Sequence, residues 1–114
     1  MATVLSGTSG ALYYKPAGTS GTFKAADVTN ASNTINVGTY LNFQVNDKVV
    51  FAAGGGTLPA GLTEGTPVFI KTYTASTGAA TFSATAGGAV LALSSDGTDG
   101  TSDFTIKFTE FQSV

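Results

Sequence analysis

Phe104-Thr105-Ile106-Lys107-Phe108-Thr109 is the stretch that decides the fold class. Phe104, Ile106 and Phe108 alternate with Thr105, Lys107 and Thr109, so one side of an extended segment is apolar and the other polar. That period of two is the mark of a half-buried β-strand. Phe111 falls out of phase with it, which implies either a bulge or an outward contact residue. Working back from this strand, Val68-Phe69-Ile70-Lys71-Thr72-Tyr73 reads as another, with Pro67 at its start, where no ladder donor is needed. Ser76-Thr77-Gly78 turns it into Ala80-Thr81-Phe82-Ser83-Ala84. Gly87-Gly88 turns the chain again into Val90-Leu91-Ala92-Leu93.

Strand signals continue toward the N-terminus. Ala11-Leu12-Tyr13-Tyr14-Lys15 stops at Pro16. Thr34 to Val37 places Ile35 and Val37 on one face. Leu41, Phe43 and Val45 alternate with Asn42 and Gln44 and predict a further strand. Asn46-Asp47 turns it into Lys48-Val49-Val50-Phe51, since Asn tolerates the left-handed conformation. Between 53 and 62, Gly54-Gly55-Gly56 reads as a flexible tip, with Leu58 and Leu62 plugging the core.

Helix signals are almost absent. The longest window free of Gly and Pro, Thr22 to Val37, is rich in Thr, Asn and Asp, which favour caps and turns. A single helical turn near Lys24 to Val28 is compatible with it. Short strands with turns about every 8–12 residues predict an all-β fold. The expectation is an antiparallel β-sandwich or barrel of about 7–9 short strands without a long helix. Its domain spans residues 10–114, preceded by an N-terminal arm, residues 1–9. That arm reads either as a segment that adds a strand to a neighbour's sheet edge or as a frayed terminus.

The chain has 114 residues, 42% of them hydrophobic and 11% charged, enough apolar content for one folded core. It has no Cys, no His and no Trp, and all five basic residues are Lys. These absences remove thiolate and imidazole metal sites, imidazole bases and the Ser-His-Asp triad. The missing Arg removes the bidentate fork for phosphate or guanine. With a net charge of −2 and a pI near 4.6, nucleic acid is not an expected partner. No apolar run approaches the roughly 18 residues of a membrane span, so no membrane is expected either. Met1 to Leu5 lacks the basic start of a signal peptide. A surface built from Thr, Ser, Asn and Gly is easily desolvated and suits contact with other subunits.

Gly10-Ala11-Leu12-Tyr13-Tyr14-Lys15-Pro16-Ala17-Gly18-Thr19 is one of two familiar stretches. The other comprises Asn46-Asp47-Lys48-Val49-Val50-Phe51, then Gly56-Thr57-Leu58-Pro59-Ala60-Gly61-Leu62-Thr63-Glu64-Gly65-Thr66, then Thr81-Phe82-Ser83-Ala84-Thr85-Ala86-Gly87-Gly88. Together they resemble a β-module of tailed-bacteriophage virion proteins, found in head and tail proteins alike. The family usually has Gly in place of Asn46 and an aromatic pair near Val68-Phe69. Some longer tail proteins carry a similar module before a tube-forming domain. With the chain ending at Val114, that second domain is not expected here.

A free-standing domain of this size most resembles a capsid decoration, or cement, protein. The resemblance implies a non-enzymatic protein with no cofactor, bound in many copies to the outside of a mature phage head. Its partners would be the major capsid protein and itself, as a dimer or trimer. It would be assembled in the host cytoplasm and located on the virion exterior. A tail-tube subunit or other tail component is the alternative, with Thr19 to Val37 as the long loop a tube subunit needs. A glycan-binding adhesion module is the weaker one.

Few residues suggest chemistry. Asp96, Asp99 and Asp103 lie in one Gly-rich loop, where carboxylates can take Ca²⁺, but their spacing fails the EF-hand pattern. A turn without metal explains the same residues. A glycosidase pair would have to come from Asp27, Asp47, Glu64, Asp96, Asp99, Asp103 and Glu110, mostly in turns, with no Trp to stack a sugar. Tyr13, Tyr14, Tyr40 and Tyr73 suggest either a sugar platform or core and interface packing. Gly54 to Gly56 is not a phosphate loop, as no Gly-Lys-Ser/Thr follows. Asn30-Ala31-Ser32 is a formal glycosylation sequon, without meaning in a protein made in a bacterium. The expected contact residues are Val4, Leu5, Tyr13, Tyr14 and Phe111.

Overall fold

A computed structural model of the chain describes residues 14–15, 19–41, 43–109 and 112–113, with strand pairing alone given for 14–15 and 112–113. Among the described residues nine strands follow in order: β1 (Tyr14–Lys15), β2 (Ser20–Phe23), β3 (Val28–Thr29), β4 (Thr34–Asn36), β5 (Lys48–Ala52), β6 (Val68–Thr74), β7 (Ala79–Ser83), β8 (Phe104–Phe108) and β9 (Gln112–Ser113). Two single 3₁₀ turns, Ala25–Asp27 and Asn30–Ser32, flank β3. The protein is all-β, and no described helix is long and apolar enough to cross a membrane.

Seven strands form one antiparallel sheet in the order β2-β8-β5-β6-β7-β4-β3. β1 and β9 pair separately, yet in the register of β2 and β8. Ser20 faces Lys107; five residues earlier on one strand and five later on the other, Lys15 faces Gln112. The sheet cannot be flat. Its edges are β2 and β3, and laid flat they would stand roughly 29 Å apart at normal strand spacing. Only Lys24 to Asp27 separates them in the chain, a link that reaches at most about 18 Å from Phe23 to Val28. The sheet therefore curls around its inner face, although no ladder joins β2 to β3 among the described residues.

The inner face is the predicted one. Phe104, Ile106 and Phe108 of β8 are buried, as are Val49 and Phe51 of β5 and Ala80 and Phe82 of β7. Phe51 stands edge-on to Phe23 at 5.8 Å and to Phe82 at 5.2 Å, so its ring bridges both arms of the curl. Such edge contacts add to burial, which alone is worth about 1.5–3 kcal/mol per large apolar side chain. Ile35, Val37, Leu58 and Leu62 complete the core where the sequence placed them.

β6 carries a bulge. Ile70 faces Phe82, but the next pair is Thr72 with Thr81. Ile70 packs inward, and Tyr73 faces the inward Ala80. Lys71 and Thr72 therefore share the outer side, an arrangement simple alternation cannot give.

Two expected strands are absent. Leu41, Phe43 and Val45 do not form one; Asn42 lies outside the described residues. The Asp47 carboxylate accepts from Gln44 N–H at 2.9 Å and Asp47 N–H donates to Gln44 O, closing a turn with Asn46 at φ 73°. A local side-chain acceptor has taken backbone donors from a strand. Val45 ends 59% exposed, and only Phe43 reaches the core. Val90 to Leu93 likewise forms no ladder strand, only a single bridge from Val90 to Ser83. Two of its amides go to different places, Leu91 to Phe82 O and Leu93 to the Asn33 side chain, and the next, Ser94, donates to Ala60 O. Ala11, Leu12 and Tyr13 of the first expected strand and the arm of residues 1–9 lie outside the described residues.

Candidate functional site

The carboxylates singled out by sequence sit in the run from Leu93 to Asp103, between two other segments. On one side lies the stretch from Lys24 to Asn33. Asp103 Oδ1 accepts from Lys24 Nζ at 2.6 Å, and Asp99 Oδ1 accepts from Ala25 N–H at 2.8 Å. Asp96 Oδ1 accepts from both the side chain and the backbone of Asn30, and Asn33 Oδ1 accepts from Leu93 N–H. The partners run in opposite order along the two segments, as in an antiparallel ladder built from side chains.

On the other side the run pairs with residues 54–60 through backbone. Thr57 and Thr98 exchange both hydrogen bonds, Ser102 N–H donates to Gly54 O, and Ser94 N–H donates to Ala60 O. This packing is tight enough to require glycine. A Cβ on Gly56 would lie 2.1 Å from Thr98 O, and one on Gly100 would lie 2.2 Å from Gly56 N. Gly54 to Gly56 is therefore not a flexible tip. Its glycines let two backbones touch.

The three aspartates face different donors and do not turn toward a common point. No group of three or more His, Cys, Asp or Glu among the described residues is placed to hold a metal ion. The Asp103 carboxylate, through its hydrogen bond and then its charge, holds the Lys24 ammonium above its ordinary pKa. Burial opposes this, and Asp99 and then Asp27 add lesser contributions in the raising direction. The Asp27 carboxylate also caps Lys24 N–H at 2.9 Å.

The tyrosines are placed apart in role. Tyr73 donates from its hydroxyl to Gly38 O at 2.6 Å and packs against Phe43, and burial raises its pKa. Tyr40 is 65% exposed, its ring lying against Gly38 and its hydroxyl close to Gly21. One is anchored inward and the other open, so these two do not make a flat platform. Tyr14 lies in β1, where only its pairing with Ser113 is described. Val4, Leu5, Tyr13 and Phe111 lie outside the described residues, as does Glu110.

The outer face of the sheet was not singled out by sequence. β5 reads apolar on both sides, and its outward Val50 and Ala52 are half-buried. With Thr105 and Lys107 of β8, and with Glu64 and Gly65 at the rim, they line an open groove of about 340 Å³. Phe69 of β6 lies outward beside Lys48. The signal was present: Val49-Val50-Phe51-Ala52 lacks the alternation of a strand with one wet face. Asn33, in the left-handed region at φ 58°, was also missed as a structural residue, and Asp47, read only as part of a turn, is just 5% exposed.

Comparison with protein-family models, with curated proteins and with solved structures finds no significant match to this chain.

Proposed function

We propose that this chain is a non-enzymatic structural protein of a tailed-phage virion, a decoration protein that binds the outside of the mature head and stabilises it. The observation that carries the reading is the outer sheet face, where a central strand leaves Val50 and Ala52 half-exposed beside Thr105, Lys107 and Glu64. Covering this apolar strip with protein is favourable, and the charged groups beside it call for partners on the covering surface. The polar residues that might have served catalysis act as acceptors within the fold, which also favours a structural role. The sequence resemblance supplies the shell as the surface to be covered.

The mechanism is linkage. A ligand that binds only the mature lattice stabilises it in proportion to occupancy, and contacts to several coat subunits add avidity. The major capsid protein and further copies of this chain would be the partners, on the virion exterior. The tube-subunit reading loses its main support, because residues 19–37 are folded into β2, β3 and β4 and tied to the 93–103 run rather than left as a loop. The adhesion reading is weakened because the Tyr73 hydroxyl is used within the fold, on Gly38 O.

The test is light scattering of the purified protein with and without empty expanded capsids. Saturable binding at lattice stoichiometry, by a small closed oligomer, is the expected result. Rings or filaments of the protein alone, with no binding to capsids, would overturn the reading and place the protein in the tail.

A further inference from the structure

Charge in this chain is scarce, and the fold sorts it. Four of the carboxylates, Asp27, Asp96, Asp99 and Asp103, gather with Lys24 at the end of the sheet where β2 stops and β8 begins. The outer sheet face carries the opposite sign. Lys107 faces Val50, and Lys48 is two residues from Val50 on the same side, so the two lysines are diagonal neighbours about 7–8 Å apart. Lys48 faces Phe69, and two residues on from Phe69 ordinary alternation places Lys71 on the outer side as well. Lys107, Lys48 and Lys71 thus cross the face in a diagonal, with Val50 and Phe69 between them and Glu64 alone at the groove rim.

We infer that this lysine-lined, half-apolar face is an interface between copies of the chain, and that its occupant is the acidic end of a second copy. Charge complementarity selects that occupant. Among the described residues, the acidic end sets four carboxylates against one ammonium, and the face sets three ammonium groups against one carboxylate. The half-buried Lys71 donates to Gly87 O at 3.5 Å. Because the two patches differ, the contact is heterologous and generates a ring when its rotation closes. The inference rests on the reading of this face as a protein-contact surface and assigns its occupant; because its test is run without capsids, its failure is distinguishable from a failure of capsid binding.

The test uses the full chain at low and high salt. The wild type is expected to form a discrete oligomer at low ionic strength and to dissociate toward 11.4 kDa as salt rises, because exposed charges are screened. Lys71→Glu with Lys107→Glu reverses the face. Ala26→Lys, Asp27→Lys and Ala31→Lys together reverse the acidic end at exposed positions. Each variant alone should associate at least about 100-fold more weakly, since like charges then meet. The two variants mixed should recover a one-to-one complex, an outcome that misfolding does not mimic. Circular dichroism checks that each variant folds, and the salt response of the wild type tests the inference without any variant. A wild type that is monomeric at low salt, an oligomer indifferent to salt, or folded variants with the wild-type mass would each overturn it.

Discussion

The β5–β8 sheet and the 93–103 run are equally ordered in this protein, but by different physics. In the sheet, Phe51, Phe82 and Phe104 exclude water from an apolar interior. In the run, order comes from aspartate acceptors on one side and from glycine-permitted backbone contact on the other. The first kind of order tolerates any good apolar packing. The second depends on single atoms at fixed places, so its residues are replaceable only where the atom is not used.

The largest expected effect breaks the sheet side. Phe51→Ala removes the ring that bridges Phe23 and Phe82 and should destabilise the protein by about 3–5 kcal/mol in denaturant unfolding. On the loop side, Gly56→Ala forces a Cβ into the Thr98 carbonyl and should cost about 1–3 kcal/mol. Gly87→Ala sharpens the contrast. Gly87 has the reverse problem: its φ of 74° disfavours a side chain, but open space surrounds it, so only a conformational penalty of about 1 kcal/mol applies. Equal losses at Gly56 and Gly87 would mean that the backbone contact is not tight.

Asn33→Gly keeps the left-handed conformation and deletes the acceptor for Leu93 N–H, with an expected loss of about 1 kcal/mol. The smallest effect is in alkali. Burial raises the Tyr73 pKa, and only the neutral phenol donates to Gly38 O. A group whose folded pKa is raised stabilises fully below its unfolded value, near 10, and that contribution is lost as pH climbs through the folded value. Stability should therefore fall above pH 10, and Tyr73→Phe should flatten part of the fall in a pH series of unfolding curves.

The same contrast explains what could be read in the sequence. Phe104-Thr105-Ile106-Lys107-Phe108 announces its strand and its buried face, because burial writes itself as a period. The Leu41–Val45 alternation misled because Asp47 competes locally for the backbone, an effect that hydrophobic periodicity does not contain. Val90 to Leu93 misled because the Leu93 amide, and that of Ser94 after it, find partners in Asn33 and Ala60, far away in sequence. The aspartates of the loop were visible as residues, but their donors at Lys24, Ala25 and Asn30 were not. The curl follows from a short link between edge strands, which only the strand order reveals. The lysine diagonal needed that order too.

Amide hydrogen exchange across the loop, with and without added calcium, tests the structural role of these carboxylates most directly. The amides of Ser94, Thr98 and Ser102 should be protected in calcium-free buffer to a degree approaching that of β8, and calcium should leave them unchanged. Fast exchange at these three amides that slows only when calcium is added would contradict that role and make the loop an ion site.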